Sequence, residues 1–161
     1  MSFHLKRKDL EITDEKLLKK ILKETTYVTI ALVMDNQPYL VSLSHGYDEK
    51  CNCLYFHCAI DGKKLQYIES NPTVWGQAML DYGYLQGKCT HLYASVHFHG
   101  KVTIIQNIEE KYAAAECMIN QLDKEPAQLI KDLTQERLSN AAIGRIDIDY
   151  MSGKKSKEIK L

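Results

Sequence analysis

Three short strand-like segments joined by tight turns, between residues 27 and 59, constrain the fold of this chain most. Residues 27–34 are rich in β-branched and apolar side chains, which favours a strand. The turn sequence Asp35-Asn36-Gln37-Pro38 follows, and residues 39–45 then alternate between two faces, as the second arm of a hairpin does. A further turn leads into a strand over residues 53–59. Strands joined this closely pair antiparallel, so the sequence predicts a β-rich fold.

The rest of the chain supplies three more strands and several helices. Strands are predicted over residues 73–80, 90–105 and 142–150, and Gly100 marks a bulge or close approach in the longest of them. Helices are predicted after an N-cap at Thr13, over residues 108–122, and as a single helix from Pro126 to Leu138, with a loop over residues 82–88. The predicted fold class is mainly β (β plus α), a six-stranded antiparallel barrel with peripheral helices.

Length and charge indicate one domain without a polyanionic partner. The 161 residues suffice for a single core, so the chain is expected to form one domain over residues 1–161, with flexible tails at 1–12 and 155–161. Lys plus Arg and Asp plus Glu both number 21, which gives no global attraction to nucleic acid. Apolar runs are too short for a membrane span and no secretory segment is evident, so a cytoplasmic protein is expected.

The cysteines favour reduced thiols. Five of them stand at irregular spacing, which fits small core-filling side chains better than a disulfide framework. Cys51, Cys53 and His57 could form part of a metal site, but no second cluster of ligands completes it. No metal is therefore predicted.

A glycine and two lysines after the third strand form a candidate phosphate site. Gly62 breaks the strand pattern, and Lys63 and Lys64 then fall in the first turn of a short amphipathic helix, where backbone N–H groups are unpaired. One lysine can face a pocket while the other faces water, because successive helical residues point about 100° apart. A solvated turn is the alternative interpretation. The residues alone do not choose between the two lysines.

The histidines have two interpretations each. His57 lies among apolar residues, where a histidine is more often part of the core than catalytic. His91, His97 and His99 share one face of a strand with Tyr93 and Ser95, and that face either meets solvent or lines a binding crevice. The chain lacks G-x-G-x-x-G, G-x-x-x-x-G-K-[ST] and G-x-S-x-G, so Rossmann, P-loop and serine hydrolase sites have no sequence support.

The order of these segments resembles the pyridoxamine 5'-phosphate oxidase-related FMN-binding proteins. Within that family it is most similar to the nitroimidazole-resistance (Nim-type) branch. The matching segments are residues 37–47, 54–64, 71–72, 89–96, 100–101 and 145–154. Each motif is weak alone, but together in this order they make the resemblance specific.

The resemblance implies a split β-barrel homodimer with FMN bound between the subunits. Strand residues would run beside the isoalloxazine, a lysine would hold the phosphate, and further residues would pack across the cofactor. By position these cofactor-binding residues are Val41, Ser42, Leu43, Ser44, His57, Lys63, Lys64, Tyr93 and Ser95. The branch's phosphate lysine matches Lys64 better than Lys63, and His57 matches its catalytic histidine.

The same resemblance implies an FMN-dependent oxidoreductase that reduces nitroaromatic compounds such as 5-nitroimidazoles. His57 would donate a proton to a small-molecule substrate, and a nicotinamide would supply electrons. The competing hypothesis is a non-enzymatic flavin- or haem-binding carrier or sensor. The face of histidines at 91, 97 and 99, which does not belong to the family pattern, supports that alternative.

Overall fold

A computed structural model describes residues 5–161 and arranges them around one antiparallel sheet of seven strands. The strands are β1 Tyr27–Met34, β2 Gln37–Ser44, β3 Gly46–Asp48, β4 Cys53–Cys58, β5 Thr73–Leu85, β6 Thr90–Ile104 and β7 Ala142–Lys155. Their order in the sheet is β2-β1-β5-β6-β7-β4-β3. The two edge strands are therefore both early in the chain, and the sheet curls into an open barrel, which confirms the predicted fold class.

Five α-helices surround this sheet in the described part of the chain. They are α1 Glu15–Glu24, α2 Lys63–Ser70, α3 Ile108–Leu122, α4 Pro126–Lys131 and α5 Gln135–Ser139. The prediction of α3 is confirmed to the residue. The predicted cap of α1 was wrong by one position, since the side chain of Asp14, not Thr13, accepts from the backbone N–H of Lys16. The single helix predicted after Pro126 is two helices, because Thr134 caps a new one.

The barrel interior is filled by apolar side chains that alternate along every strand. Its fully buried members include Val28, Ile30, Leu32, Leu54, Phe56, Val96, Phe98 and Ile146. The rings of Phe98 and Phe56 occupy the space in which Gly76 and Gly144 would otherwise carry a Cβ. Large and small residues on facing strands thus interdigitate, which gives the core its density.

A second core cluster lies on the outer face of the sheet, beneath α3. Ala114, Ala115 and Met118 of α3 pack with Tyr55 and Ile143, from β4 and β7. The remaining outer face, on β2, β1, β5, β6 and the end of β7, carries no described helix. We call this surface the bare face.

A buried polar network joins α1, α3 and the loop after β2. The imidazole Nε2–H of His45 donates to the carbonyl of Leu22 at 2.9 Å, and Gln121 donates to the carbonyls of Leu22 and Thr25. The backbone N–H of Tyr47 in turn donates to Gln121 at 2.8 Å. Burial lowers the pKa of His45 below its ordinary value, partly opposed by the Leu22 carbonyl. His45 is therefore neutral at pH 7.

The predicted count of six strands was wrong. The strand missed is β3, which has only three residues and depends on its pairing with β4. The predicted loop over residues 82–88 is largely strand, because β5 resumes its pairing with β6 after a register shift around Gly83 and continues to Leu85. The bulge or close approach expected at Gly100 is confirmed. The pairing register shifts between His99 and Gly100, where Asp149 of β7 is left unpaired in the ladder, and a Cβ on Gly100 would overlap the carbonyl oxygen of Asp147.

Residues placed in the predicted tails make defined contacts. Ile12 and Ser156 are buried, and Glu11 forms a β-bridge with Lys154. Residues 1–4 of the predicted N-terminal tail lie outside the described residues. No helix from residue 5 onward combines the length and apolar character that crossing a bilayer requires.

Candidate functional site

The start of α2 carries two cations close to the edge of the sheet. Gly62 has a φ of 119°, which lets the chain turn out of the loop after β4 and into the helix. The ammonium of Lys63 lies 4.4 Å from the ring centroid of Tyr39 on β2, and the ammonium of Lys64 lies 6.0 Å from that of Phe56. Neither lysine forms an ion pair within the described residues. The two positive charges are thus available to an anion.

Lys64 also lies close enough to Cys58 for its charge to act on the thiol. Burial raises the pKa of the Cys58 thiol, and the positive charge of Lys64 opposes that shift. The thiol is therefore neutral at pH 7 and does not neutralise the lysine. Lys63 is exposed and Lys64 is half-buried, so the two residues differ in how much water an incoming anion would displace.

Strand β2 offers unpaired backbone groups along its outer edge. Asp35 and Asn36, with φ of 50° and 61°, form a two-residue turn closed by the pair Met34 and Gln37. Because ladder bonds alternate in an antiparallel pair, the backbone groups of every second β2 residue point away from β1. The N–H groups on that free edge belong to Leu40, Ser42 and Ser44, since Pro38 has none.

The four β2 residues predicted beside a flavin divide between the two faces of the strand. The side chains of Val41 and Leu43 turn towards the barrel interior, where Leu43 is buried. Those of Ser42 and Ser44 are exposed on the outer face, and the hydroxyl of Ser42 is hydrogen-bonded to that of Thr29 at 2.9 Å. Only the two serines can therefore present side chains to a ligand on the bare face.

Paired residues run across the bare face in two rows. A polar row is formed by Ser42, Thr29, Gln77, His97 and Ser152, each paired with the next on the neighbouring strand. The adjacent row is more apolar and consists of Leu40, Ala31, Trp75, His99 and Tyr150. A shallow cleft of about 270 Å³ lies between them near the centre of the sheet. Thr29 and Gln77 were not predicted as site residues, although polar residues in otherwise apolar strands were a usable signal.

The family of this chain is decided by a match over most of its length. A family model described as pyridoxamine 5'-phosphate oxidase matches residues 14–155, which include α2, the edge of β2 and the whole bare face. The chain belongs to the pyridoxamine 5'-phosphate oxidase family. This confirms the resemblance seen in the sequence.

Solved structures of other proteins share this fold, although their sequence identity to the chain is low. A candidate 5-nitroimidazole antibiotic resistance protein from Bacteroides thetaiotaomicron is 21% identical, with a TM-score of 0.76 and 95% of each chain covered. A flavocytochrome from Azotobacter vinelandii is 17% identical, with a TM-score of 0.81, covering 98% of this chain and 75% of that one. An FAD and haem binding protein from Mycobacterium smegmatis is 16% identical, with a TM-score of 0.77 and coverages of 91% and 73%. No curated protein sequence matches significantly.

The predicted catalytic residue, His57, lies apart from Lys63 and Lys64. His57 is exposed near the end of β4, and β-strand alternation turns its side chain to the face opposite Phe56 and Cys58. It pairs with Ile143 on the α3 side of the sheet. Lys64, in contrast, lies over Phe56 and beside Cys58. His57 is therefore close to the two lysines in the sequence but lies on a different face of the sheet.

Tyr93 and Ser95 also lie apart from the edge of β2. Both are on β6, three strands from β2, which is about 14 Å at ~4.8 Å per strand. Ser95 is buried, and Tyr93 is half-buried with its backbone hydrogen-bonded to Ser156. The fold of the chain therefore does not bring these residues together with Ser42 and Lys64.

The three histidines of β6 do not form one site. The ring of His91 donates to Asp81 at 2.7 Å, and the ring of His99 donates to Asp149 at 2.6 Å. His97 forms no ion pair within residues 5–161. Partial desolvation of its ring and the positive charge of Lys154 lower its pKa. Over the same residues no three His, Cys, Asp or Glu side chains converge as metal ligands.

Cysteines divide between core and surface. Cys53 is buried in the cluster beneath α3 and behaves as a core-filling residue, as predicted. Cys51 and Cys89 are exposed, so the prediction was wrong for these two. All five are free thiols.

Proposed function

We propose that the protein binds FMN at the start of α2 and the edge of β2 and acts as an oxidoreductase. The observation that carries this proposal is a pair of lysines beside the edge of β2. Within residues 5–161 the lysines form no ion pair, and three backbone N–H groups of that edge are unpaired. Membership of the pyridoxamine 5'-phosphate oxidase family supports it. So do the flavocytochrome and the FAD and haem binding protein that share the fold.

The described residues fit the chemical parts of FMN. Lys64 and Lys63, with the unpaired N–H groups at the start of α2, would hold the phosphate through charge-assisted hydrogen bonds. The free-edge N–H groups of Leu40, Ser42 and Ser44 would hold the carbonyl oxygens of the isoalloxazine. Bound FMN would supply the redox chemistry, while the chain binds and orients it.

The separation of the predicted residues supports a homodimer. Tyr93 is too far from the β2 edge of its own subunit, so it would approach a flavin there only as Tyr93 of the partner subunit. The bare face also exposes apolar side chains suited to burial against a second copy, such as Leu40 at 68% and Met79 at 47% exposure. We therefore place the cofactor between two copies of the chain, which pair through the bare face.

FMN titration of matched variants tests the cofactor. We expect the protein to gain a flavin absorbance band with FMN, and Lys64→Met to weaken the Kd about tenfold, because one charge-assisted hydrogen bond is lost. Lys63→Met should weaken it less, since Lys63 is exposed. Riboflavin, which lacks the phosphate, should bind the variants and the wild type alike. Protein that stays colourless after incubation with FMN would refute the proposal.

The proposed substrate class is nitroaromatic compounds, reduced with electrons from a nicotinamide. The fold shared with the candidate 5-nitroimidazole resistance protein supports this choice. His57 would donate the proton to a substrate that extends from the flavin to its exposed ring on the α3 side of β4. His57→Ala should then lower the rate of 5-nitroimidazole reduction about a hundredfold while leaving the FMN affinity unchanged. An unchanged rate would remove the role of His57 without affecting the flavin site.

A flavin- or haem-binding carrier is the second candidate function. The observation that favours it is His97, an exposed imidazole without a carboxylate partner among the described residues, in contrast to His91 and His99. Haem addition should give a Soret band that His97→Ala abolishes and His91→Ala preserves. A band that survives both substitutions would exclude His97 as the ligand.

A further inference from the structure

A half-open cavity of about 540 Å³ lies beside α2, on the side opposite Lys63. It is bordered by α2, the end of β6, the start of α3 and the segment that leads into β7. Its walls are mainly aliphatic and include Ile60, Leu65, Ile68, Ile104, Ile105 and Ala142. This volume falls within the range of about 300–1,000 Å³ that is usual for small-molecule sites.

The cavity lies on the side of α2 opposite Lys63, while Lys64, four residues before Ile68, lies between the two sides. Lys63 and Tyr67 of α2 face Tyr39 on β2. Leu65 and Ile68 line the cavity. A rotation of about 100° per residue places these two pairs on nearly opposite sides of the helix axis. Neither Lys63, Lys64 nor β2 contributes to the lining.

One cation is fixed in the cavity wall. The half-buried ammonium of Lys111 donates to the carbonyls of Leu138 at 3.2 Å and Ala141 at 3.3 Å. An ammonium has three N–H donors, so one remains, and Lys111 forms no ion pair within residues 5–161. The only carboxylate in the lining, that of Glu69, is exposed and therefore screened by water.

We propose that this cavity binds a small monocarboxylate with an aliphatic body. The carboxylate accepts the remaining N–H of Lys111, and the hydrocarbon chain packs against Leu65, Ile68 and Ile105. An amine is disfavoured because Lys111 would repel it, and a neutral alcohol would forgo the charge-assisted bond. This site is independent of the proposed flavin function.

Calorimetric titration of the full chain with octanoate and octan-1-ol tests the proposal. The wild type should bind octanoate about tenfold more tightly than the alcohol. Lys111→Met should abolish that preference, while Lys131→Met, an exposed lysine of α4 with the same loss of charge, should keep it. Equal Kd values for the two probes in the wild type, or no binding of octanoate, would overturn the proposal.

Two further measurements keep the test decisive if Lys111→Met does not fold. Ala141→Leu fills part of the cavity from a half-buried position and should weaken both probes. Unchanged octanoate binding by Ala141→Leu would place the ligand elsewhere and overturn the proposal. Adding FMN should leave the octanoate Kd unchanged, and competition would likewise assign octanoate to the flavin site.

Discussion

The two halves of the sheet's outer face differ in what covers them. Over β3, β4 and the start of β7, α3 packs so closely that a Cβ on Gly46 would lie 2.6 Å from the backbone nitrogen of Met118. The bare face has no such helix over it among the described residues; Leu5 reaches it beside His97 and Ser152, and Leu40, Met79 and part of Trp75 are exposed. The comparison teaches that one half of this face is packed beneath a helix, whereas the other leaves large apolar side chains exposed.

The side chains of the two halves reflect the same division. Beneath α3 the strands present Cys53, Tyr55 and Ile143, which pack with small residues of the helix. The bare face presents the continuous polar row from Ser42 to Ser152 beside the more apolar row from Leu40 to Tyr150. Polar groups are costly to bury unless they are hydrogen-bonded. An apolar helix packed over this row would leave them without partners, whereas a polar ligand or a second subunit could supply hydrogen bonds.

Gly46→Ala should have the largest effect, on the covered half. The new methyl group would clash with the backbone of α3, which cannot move aside as a side chain can, so we expect a loss of about 3 kcal/mol in the free energy of unfolding. Urea denaturation measures it. The matched change on the bare face, Ala31→Val, should stay within about 0.5 kcal/mol. Equal effects of the two substitutions would erase the distinction between the halves.

Leu40→Lys should have the next largest effect, on association rather than folding. A charge inserted into an apolar interface costs about 2 kcal/mol or more, so the dimer Kd should rise about thirtyfold. Analytical ultracentrifugation measures it. Leu129→Lys, at an exposed leucine of α4, should leave association unchanged. A wild type that is monomeric at every concentration would refute pairing through the bare face.

The smallest predicted effect is a pH dependence of stability from His45. Burial holds the folded-state pKa of His45 below its ordinary value of 6.5, so the unfolded chain binds the proton more readily. This histidine's contribution to stability is thus complete above pH 6.5 and is lost as pH falls from 6.5 towards the folded-state pKa. Urea denaturation at pH 7.5 and at pH 5.5 should show a smaller loss for His45→Gln than for the wild type.

His97 on the bare face is the control for that pH dependence. Its pKa is also lowered, but in the single chain, which the Leu40→Lys background provides, the ring is exposed and water can solvate its charge. His97→Gln should therefore leave the pH dependence close to that of the wild type. If His97→Gln changed the pH dependence of the free energy of unfolding more than His45→Gln does, then His97 and not His45 would be the histidine whose burial limits stability at low pH.

Local features of the fold were predictable because their causes are local. The hairpin of β1 and β2 follows from β-branched residues around a turn sequence, and α3 from an apolar stripe between a cap and a charged loop. The strand β3 was not predictable, since three residues beginning with Gly46 carry no strand signal without their partner. The extension of β5 past Gly83 likewise depends on β6, which lies across the turn.

The candidate site shows the same limit. Lys63 and Lys64 were correctly predicted in the first turn of a helix, because glycine and helix periodicity mark that turn. The face on which His57 lies, and the separation of Tyr93 from β2, depend on strand pairing and were not predicted. Nothing in the sequence marked Lys111 as a site residue, because its two carbonyl partners come from a distant segment of the chain.

The sequence by itself determined the class of fold, the hairpins, the family and the position of the two lysines. Side-chain periodicity and turn preferences depend on residues that are close in the sequence, so both can be predicted from short segments. Only the tertiary structure decided the sheet order β2-β1-β5-β6-β7-β4-β3, and with it the bare face, the free edge of β2 and the cavity behind α2. The physical reason is that alternation records which face of a strand is buried but not which strand lies beside it.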